Sequence, residues 1–190
     1  MPQVVQSRRP LVFWLISVAA VLLLVSLIII APVAMANGHT DVALGVYRAF
    51  GTFCHQRPDR SYFIDGHKFA VCSRCTGLYF GFALTLLVYP LIRSLRNAAT
   101  PRLIFLLLAA LPLAIDFSLT FLGIWENTHT SRLLTGALLG GAAVFYVVPG
   151  LVELSARTSP AQPAPATFTL ASPERIASAP SDYSAPERRI

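Results

Sequence analysis

With 190 residues the chain has room for one domain, and a composition that is 55% hydrophobic but only 13% charged is too apolar for a water-soluble fold. A mean hydropathy of +0.62 is spread over several apolar runs rather than confined to one anchor, which points to a bundle embedded in the lipid bilayer. The net charge of +6 would suit nucleic acid in a soluble protein, but here the arginines sit at the ends of apolar runs and do not interleave with aromatics, so topology accounts for them and no nucleic-acid partner is expected.

In chain order, residues 1–10 form a short N-terminus carrying Arg8 and Arg9. Leu11 to Ala31 is an almost unbroken apolar run of about twenty residues, enough to cross the hydrocarbon core of a bilayer. A cleaved signal peptide is the rival reading, because Ala34-Met35-Ala36 has the small-x-small form of a cleavage site. Signal cores stop at about fifteen apolar residues, so an anchor is preferred. A loop over 37–74 follows, within which Val42 to Phe53 has the mixed pattern of an interfacial amphipathic helix. Three more spans are expected at about 75–92, 103–124 and 133–151, closing a membrane domain over 11–156. The remainder, 157–190, is rich in Ala, Pro and Ser and is expected to be disordered.

Arg93, Arg96 and Arg102 fill the link between the second and third spans and mark it, with Arg8 and Arg9, as cytoplasmic. The expected protein is therefore a multi-pass plasma-membrane protein with both termini cytoplasmic and the 37–74 loop outside. Two helix starts look alike, Thr76-Gly77 with Gly81 and Thr135-Gly136 with Gly140. Small residues four apart let helices approach closely in lipid, so these mark a contact face.

All three cysteines fall in that loop and at the mouth of the second span: Cys54-His55-Gln56, then Cys72-Ser73-Arg74-Cys75. A Cys-x-x-Cys pair lets two thiolates reach one tetrahedral ion, and a distant Cys-His pair can complete the four ligands of a zinc site. Cys54, Cys72 and Cys75 are the natural three. His55 is adjacent to Cys54 and would need an awkward bite, while His67, His39 and His129 lie in loops on the same side. The same pair can be read as a redox couple, because a helix N-terminus and Arg74 would stabilise a thiolate. It can also be read as a structural disulfide with a spare thiol. Asp116 interrupts the third span, about 20 Å along it, where an ionisable group needs a partner such as Arg74 or Arg132, or else a functional cavity. Glu126, His129 and Arg132 fall in the link before the fourth span, so the unusual polar groups converge on the cysteine face.

The stretch Cys54-His55-Gln56-Arg57-Pro58-Asp59-Arg60-Ser61, then Gly66, then Cys72-Ser73-Arg74-Cys75-Thr76-Gly77-Leu78-Tyr79 resembles the signature of an uncharacterised prokaryotic membrane-protein family, DUF2085. Asp116, Arg132, Thr135 and Gly136 match its later elements, an intramembrane Asp and an Arg before Thr-Gly. The resemblance covers about Thr52 to Gly140, and Phe117 stands where the family often has Gly. It implies a site without naming a reaction.

The reading that results is an all-α integral membrane bundle of about four transmembrane helices, with a zinc site built from Cys54, Cys72, Cys75 and, as favoured fourth ligand, His55. Arg60, Arg74, Asp116 and Arg132 would surround it. Were a water to occupy an open position, Asp116 or Glu126 could act as general base of a hydrolase or transferase. The alternatives are a thiol-disulfide oxidoreductase coupled to quinone, and a structural subunit of a membrane complex whose partners the sequence does not name.

Overall fold

The computed structural model describes residues 9–157; the tail expected to be disordered lies, beyond residue 157, outside the described residues. Its helices are α1 (Arg9–Ala36), α2 (Thr40–Gly51), α3 (Ser73–Ile92), α4 (Leu103–Phe121) and α5 (His129–Arg157). Between α2 and α3 lie a 3-10 turn at Pro58–Arg60 and a small hairpin, β1 (Phe63–Ile64) and β2 (His67–Lys68). Four helices, α1, α3, α4 and α5, are long and apolar enough to cross a membrane. The short α2 buries Ala43 and Phe50, in keeping with its mixed pattern.

Several boundaries differ from those expected, and three of them have a local reason. The third span stops at Phe121 rather than 124, although Leu122 and Ile124 continue the apolar run. Gly123 takes the left-handed conformation (φ 69°), its N–H donates to the Thr120 carbonyl, and that of Ile124 donates to Leu119 at 3.0 Å. That pair of bonds is a Schellman cap. The fourth span starts four residues early, at His129, because the Thr128 hydroxyl accepts from the Ser131 N–H at 3.0 Å and caps the helix. Arg132 therefore stands on α5 rather than in a loop.

The first span runs on to Ala36 through Pro32, which is fully buried. Proline has no N–H, so the carbonyl of Ile28, four residues back, lacks its helical donor. The N–H of Ala70, in the segment leading to α3, lies 3.4 Å from that oxygen and takes the place. The end of α1 is thereby tied to the cysteine-bearing loop, over a buried cluster of Ile28, Ala31, Phe50, Cys54, Ala70 and Val71.

The tightest packing joins α3 and α5. A Cβ placed on Gly77 or Gly81 would land on the backbone of Leu133 or Ala137, 2.6 Å from the Ala137 Cα in the second case. Gly136 and Gly140 meet Arg74 and Leu78 in the same way, so the expected contact face exists with glycine on both sides. Towards the opposite end Leu86, Tyr89, Val144 and Val148 form a second buried cluster, where the Trp14 indole donates to the Leu86 carbonyl at 2.9 Å. Helix α4 buries no residue of its own and leans on α5. Its apolar surface suits lipid, where hydrocarbon solvates a leucine as well as another leucine does.

Gly140→Ala is expected to destabilise the protein by about 1–3 kcal/mol through overpacking against the backbone of Leu78. Gly45→Ala, on α2 with nothing near the added methyl, is expected to be neutral or slightly stabilising. Unfolding midpoints of the two variants in one detergent provide the check; equal midpoints would mean the helices do not touch through glycine.

Candidate functional site

Cys72 is the N-cap residue of α3, in an extended conformation, and Cys75 follows one turn on. Cys54 arrives from the end of α2, where its N–H donates to the Phe50 carbonyl at 2.9 Å, and its side chain is buried. The sulfurs of Cys72 and Cys75 are 3.5 Å apart, and the Cys72 N–H donates to the sulfur of Cys54 at 3.2 Å. All three sulfurs lie within 4.8 Å of one another, as free thiols. Hydrogen bonding from the Cys72 and Cys75 thiols, with the Cys72 N–H, holds the Cys54 thiol far below its ordinary pKa, against the opposing effect of burial.

The loop presenting Cys54 is fixed by a residue the sequence reading left without a role. Gln56 has a positive φ of 48°, uncommon for a side chain of that size, and two hydrogen bonds hold it there. Its amide donates to the Tyr47 carbonyl at 2.7 Å, and its own carbonyl accepts from Lys68 Nζ at 2.7 Å. The Tyr47 hydroxyl donates in turn to the Lys68 carbonyl. Lys68 is presented by the hairpin, whose two-residue turn, Asp65-Gly66, has positive φ at both positions. Asp-Gly is a hairpin signal readable in the sequence.

The four histidines divide. His129 was a candidate loop ligand; it stands at the start of α5, with Nδ1 2.7 Å from the Ser73 hydroxyl and its ring against Tyr62 at 5.5 Å. Ser73 is fully buried and also donates to the Arg60 carbonyl at 2.8 Å, so one hydroxyl joins the 3-10 turn, α3 and α5. His67 sits on the hairpin and His39 precedes α2. His55 is exposed and lines the cavity beside the sulfurs, although the mutually close group of ligand atoms consists of the thiols alone.

That cavity, about 460 Å³, is lined by cysteines, arginines and phenylalanines. Arg57, Arg60, Arg74 and Arg132 line it. Asp59 bridges Arg57 and Arg60 at 3.2 and 3.3 Å. Asp116 pairs with Arg74 at 2.5 Å across the space between α3 and α4, and the guanidinium lies over the Phe117 ring at 5.7 Å. Asn127 donates to the Asp116 carbonyl at 2.5 Å. Of the two carboxylates considered as bases, Asp116 is engaged in this ion pair and Glu126 is exposed, away from the cavity lining. Arg132, 8% exposed, has no ion-pairing carboxylate among the described residues. Sequence reasoning gave Ser73, Gln56 and Asn127 no role, because a polar residue carries no sign of which distant carbonyl or ring it will meet.

The profile of a family described as "Predicted membrane protein (DUF2085)" matches residues 54–146, so the match opens on Cys54 and takes in Cys72, Cys75, Asp116 and Arg132. An uncharacterized protein of Methanocaldococcus jannaschii, MJ1492, is 33% identical over 147 residues, which is 75% of this chain and 94% of the relative. An uncharacterized protein of Methanothermobacter thermautotrophicus is 38% identical over 100 residues, 52% of this chain and 88% of that relative. No solved structure matches.

Asp116→Asn leaves the part-buried Arg74 without its counter-ion, a loss expected to fall below the roughly 3–5 kcal/mol that breaking a fully buried pair costs. The variant is expected to unfold at lower temperature in detergent, while Glu126→Gln unfolds with the parent. A variant of Asp116 as stable as the parent would show that the pair does not hold α4 in place.

Proposed function

This chain belongs to the DUF2085 family of predicted membrane proteins, and we propose that within it Cys54, Cys72 and Cys75 are the ligands of a zinc ion held at one membrane face. The observation that carries this reading is the mutual closeness of the three sulfurs. A disulfide joins two sulfurs at about 2.05 Å and leaves the third unused. A tetrahedral ion with sulfur ligands at about 2.3 Å instead sets all three roughly 3.8 Å from one another. The 3.5 Å approach of Cys72 to Cys75 and the 4.8 Å limit on the whole group fit that donor set. Gln56 and Lys68 position Cys54, and the start of α3 positions the other two.

When bound, zinc gathers three thiolates without redox change and leaves a fourth position. We keep His55, which lines the cavity beside the sulfurs, as the favoured residue for it. Arg60, Arg74, Asp116 and Arg132 surround the thiols, and we assign no general base.

We read the orientation from the arginine-rich link between the second and third spans. The start of α1, at Pro10 and Leu11, shares a recess with Arg93 and Arg96, and the Tyr146 hydroxyl of α5 donates to the Arg102 carbonyl at 2.9 Å. The arginine-rich link thus lies at the end of the bundle away from the cysteines. With that link retained on the cytoplasmic side of the plasma membrane, our reading has the thiols outside. We also read α1 as a retained span, because Ile28, Ala31 and Pro32 are part of the core.

A second reading is favoured by the same 3.5 Å approach: Cys72 and Cys75 lose two electrons and two protons to become a disulfide, and a quinone takes both up as quinol. Elemental analysis of detergent-purified protein, with a thiol count after denaturation in chelator, separates the two. One zinc per chain and three thiols are expected. Cys54→Ser, Cys72→Ser and Cys75→Ser should each lower metal content at least tenfold, and His55→Ala less than any of them. No metal with a single titratable thiol would overturn the zinc reading and leave the redox one.

A further inference from the structure

The arginines of the cavity outnumber the groups that could neutralise them. Four line it, and two carboxylates, Asp59 and Asp116, pair with three of the four. Arg132 is nine-tenths buried and has no carboxylate partner among the described residues. The Nε atoms of Arg60 and Arg74 are also buried without a hydrogen bond, since the 3.3 Å contact of Arg60 with Asp59 is poorly aligned. An excess of positive charge persists whether the thiols are neutral or bind a divalent ion, because three thiolates and such an ion together carry only one negative charge. A buried guanidinium with no counter-ion is costly wherever water is scarce, so the geometry calls for an anion from outside the chain.

The shape of the site narrows which anion. Guanidinium groups approach from three separate elements, the 3-10 turn (Arg60), the first turn of α3 (Arg74) and the first turn of α5 (Arg132). Both long helices point their N-terminal ends, the positive ends of their dipoles, at the same space. Convergence from several directions suits a tetrahedral oxyanion with three or four acceptor oxygens better than a flat carboxylate, which one arginine can satisfy. The remaining walls are apolar: Phe53, Phe117 and Phe121 are all exposed at the cavity, the last two on the lipid-facing α4.

We propose that this cavity binds a phosphate group, held by Arg60, Arg74 and Arg132, with any apolar part of the ligand lying along Phe117 and Phe121. The site is made by the chain's own side chains and does not depend on the zinc reading. A lipid headgroup and a free phosphate share the required chemistry and are told apart by whether the apolar part contributes.

The test uses the full chain in a neutral detergent, titrated with inorganic phosphate, with dioctanoyl phosphatidic acid and with dioctanoyl phosphatidylcholine. Binding is read by calorimetry and by the shift of the unfolding midpoint. One phosphatidic acid per chain is expected, with at least tenfold weaker binding in both Arg60→Gln and Arg132→Gln. Arg132→Lys, which keeps the charge but loses the fork of donors, should be weakened less and serves if Arg132→Gln does not fold. Competition by inorganic phosphate at similar concentration would mean a free phosphate ligand; its failure would mean a lipid one. The proposal is overturned if no phosphate probe binds stoichiometrically. It is equally overturned if phosphatidic acid and phosphatidylcholine bind alike and the folded arginine variants make no difference, the behaviour of lipid merely coating the bundle. Metal content measured on the same samples keeps the two readings apart, since Arg60→Gln should retain its zinc while losing the anion.

Discussion

The contact of α3 with α5, backbone against backbone along Gly77, Gly81, Gly136 and Gly140, sets the position of nearly everything else. In a bilayer no hydrophobic effect drives one helix onto another, and close van der Waals approach has to do so. The approach here fixes the heights of two helix starts relative to each other. Cys72, Arg74 and Cys75 open α3, and His129 and Arg132 open α5, so aligning the helices gathers thiols, guanidinium groups and the Ser73–His129 hydrogen bond at one level. A longer side chain at the seam would separate those groups as well as the helices.

Two weaker attachments complete the site. Helix α4 offers no buried residue, and its cavity-facing end is located by Asp116, whose carboxylate meets Arg74 and whose carbonyl meets Asn127. The cysteine loop is located by polar contacts of another kind: Gln56 to Tyr47, Lys68 to Gln56, and Ser73 to Arg60. Charge and hydrogen bonding thus add to packing in placing the loop and α4, and they do so at the membrane face, where water competes less than in bulk and more than in hydrocarbon.

Much of this was legible in the sequence because it rests on local patterns. Four apolar runs of spanning length gave four helices, glycine pairs four apart gave the seam, and Cys-x-x-Cys at the mouth of a span, with Cys54 before it, gave all three clustered sulfurs. The errors arose where punctuation sat inside a pattern. Gly123 ends α4 within an apolar run, and Thr128 begins α5 within a polar one, so hydropathy misplaced both boundaries. The hairpin's strands are two residues each, too short for any alternation to show, though Asp65-Gly66 marks its turn. Pairings such as Ser73 with His129, 56 residues apart, have no local trace at all.

Pro32 carries a consequence of a different sort. The oxygen of Ile28 is open to Ala70 because the residue four positions later has no hydrogen on its nitrogen. The bond is between backbones, so exchanging the side chain of Ile28 or Ala70 for another of similar size leaves its donor and acceptor intact. Any other residue at position 32 would bring an N–H that competes for the oxygen from within the helix. The attachment of the loop to the first span is therefore encoded by an atom that proline lacks.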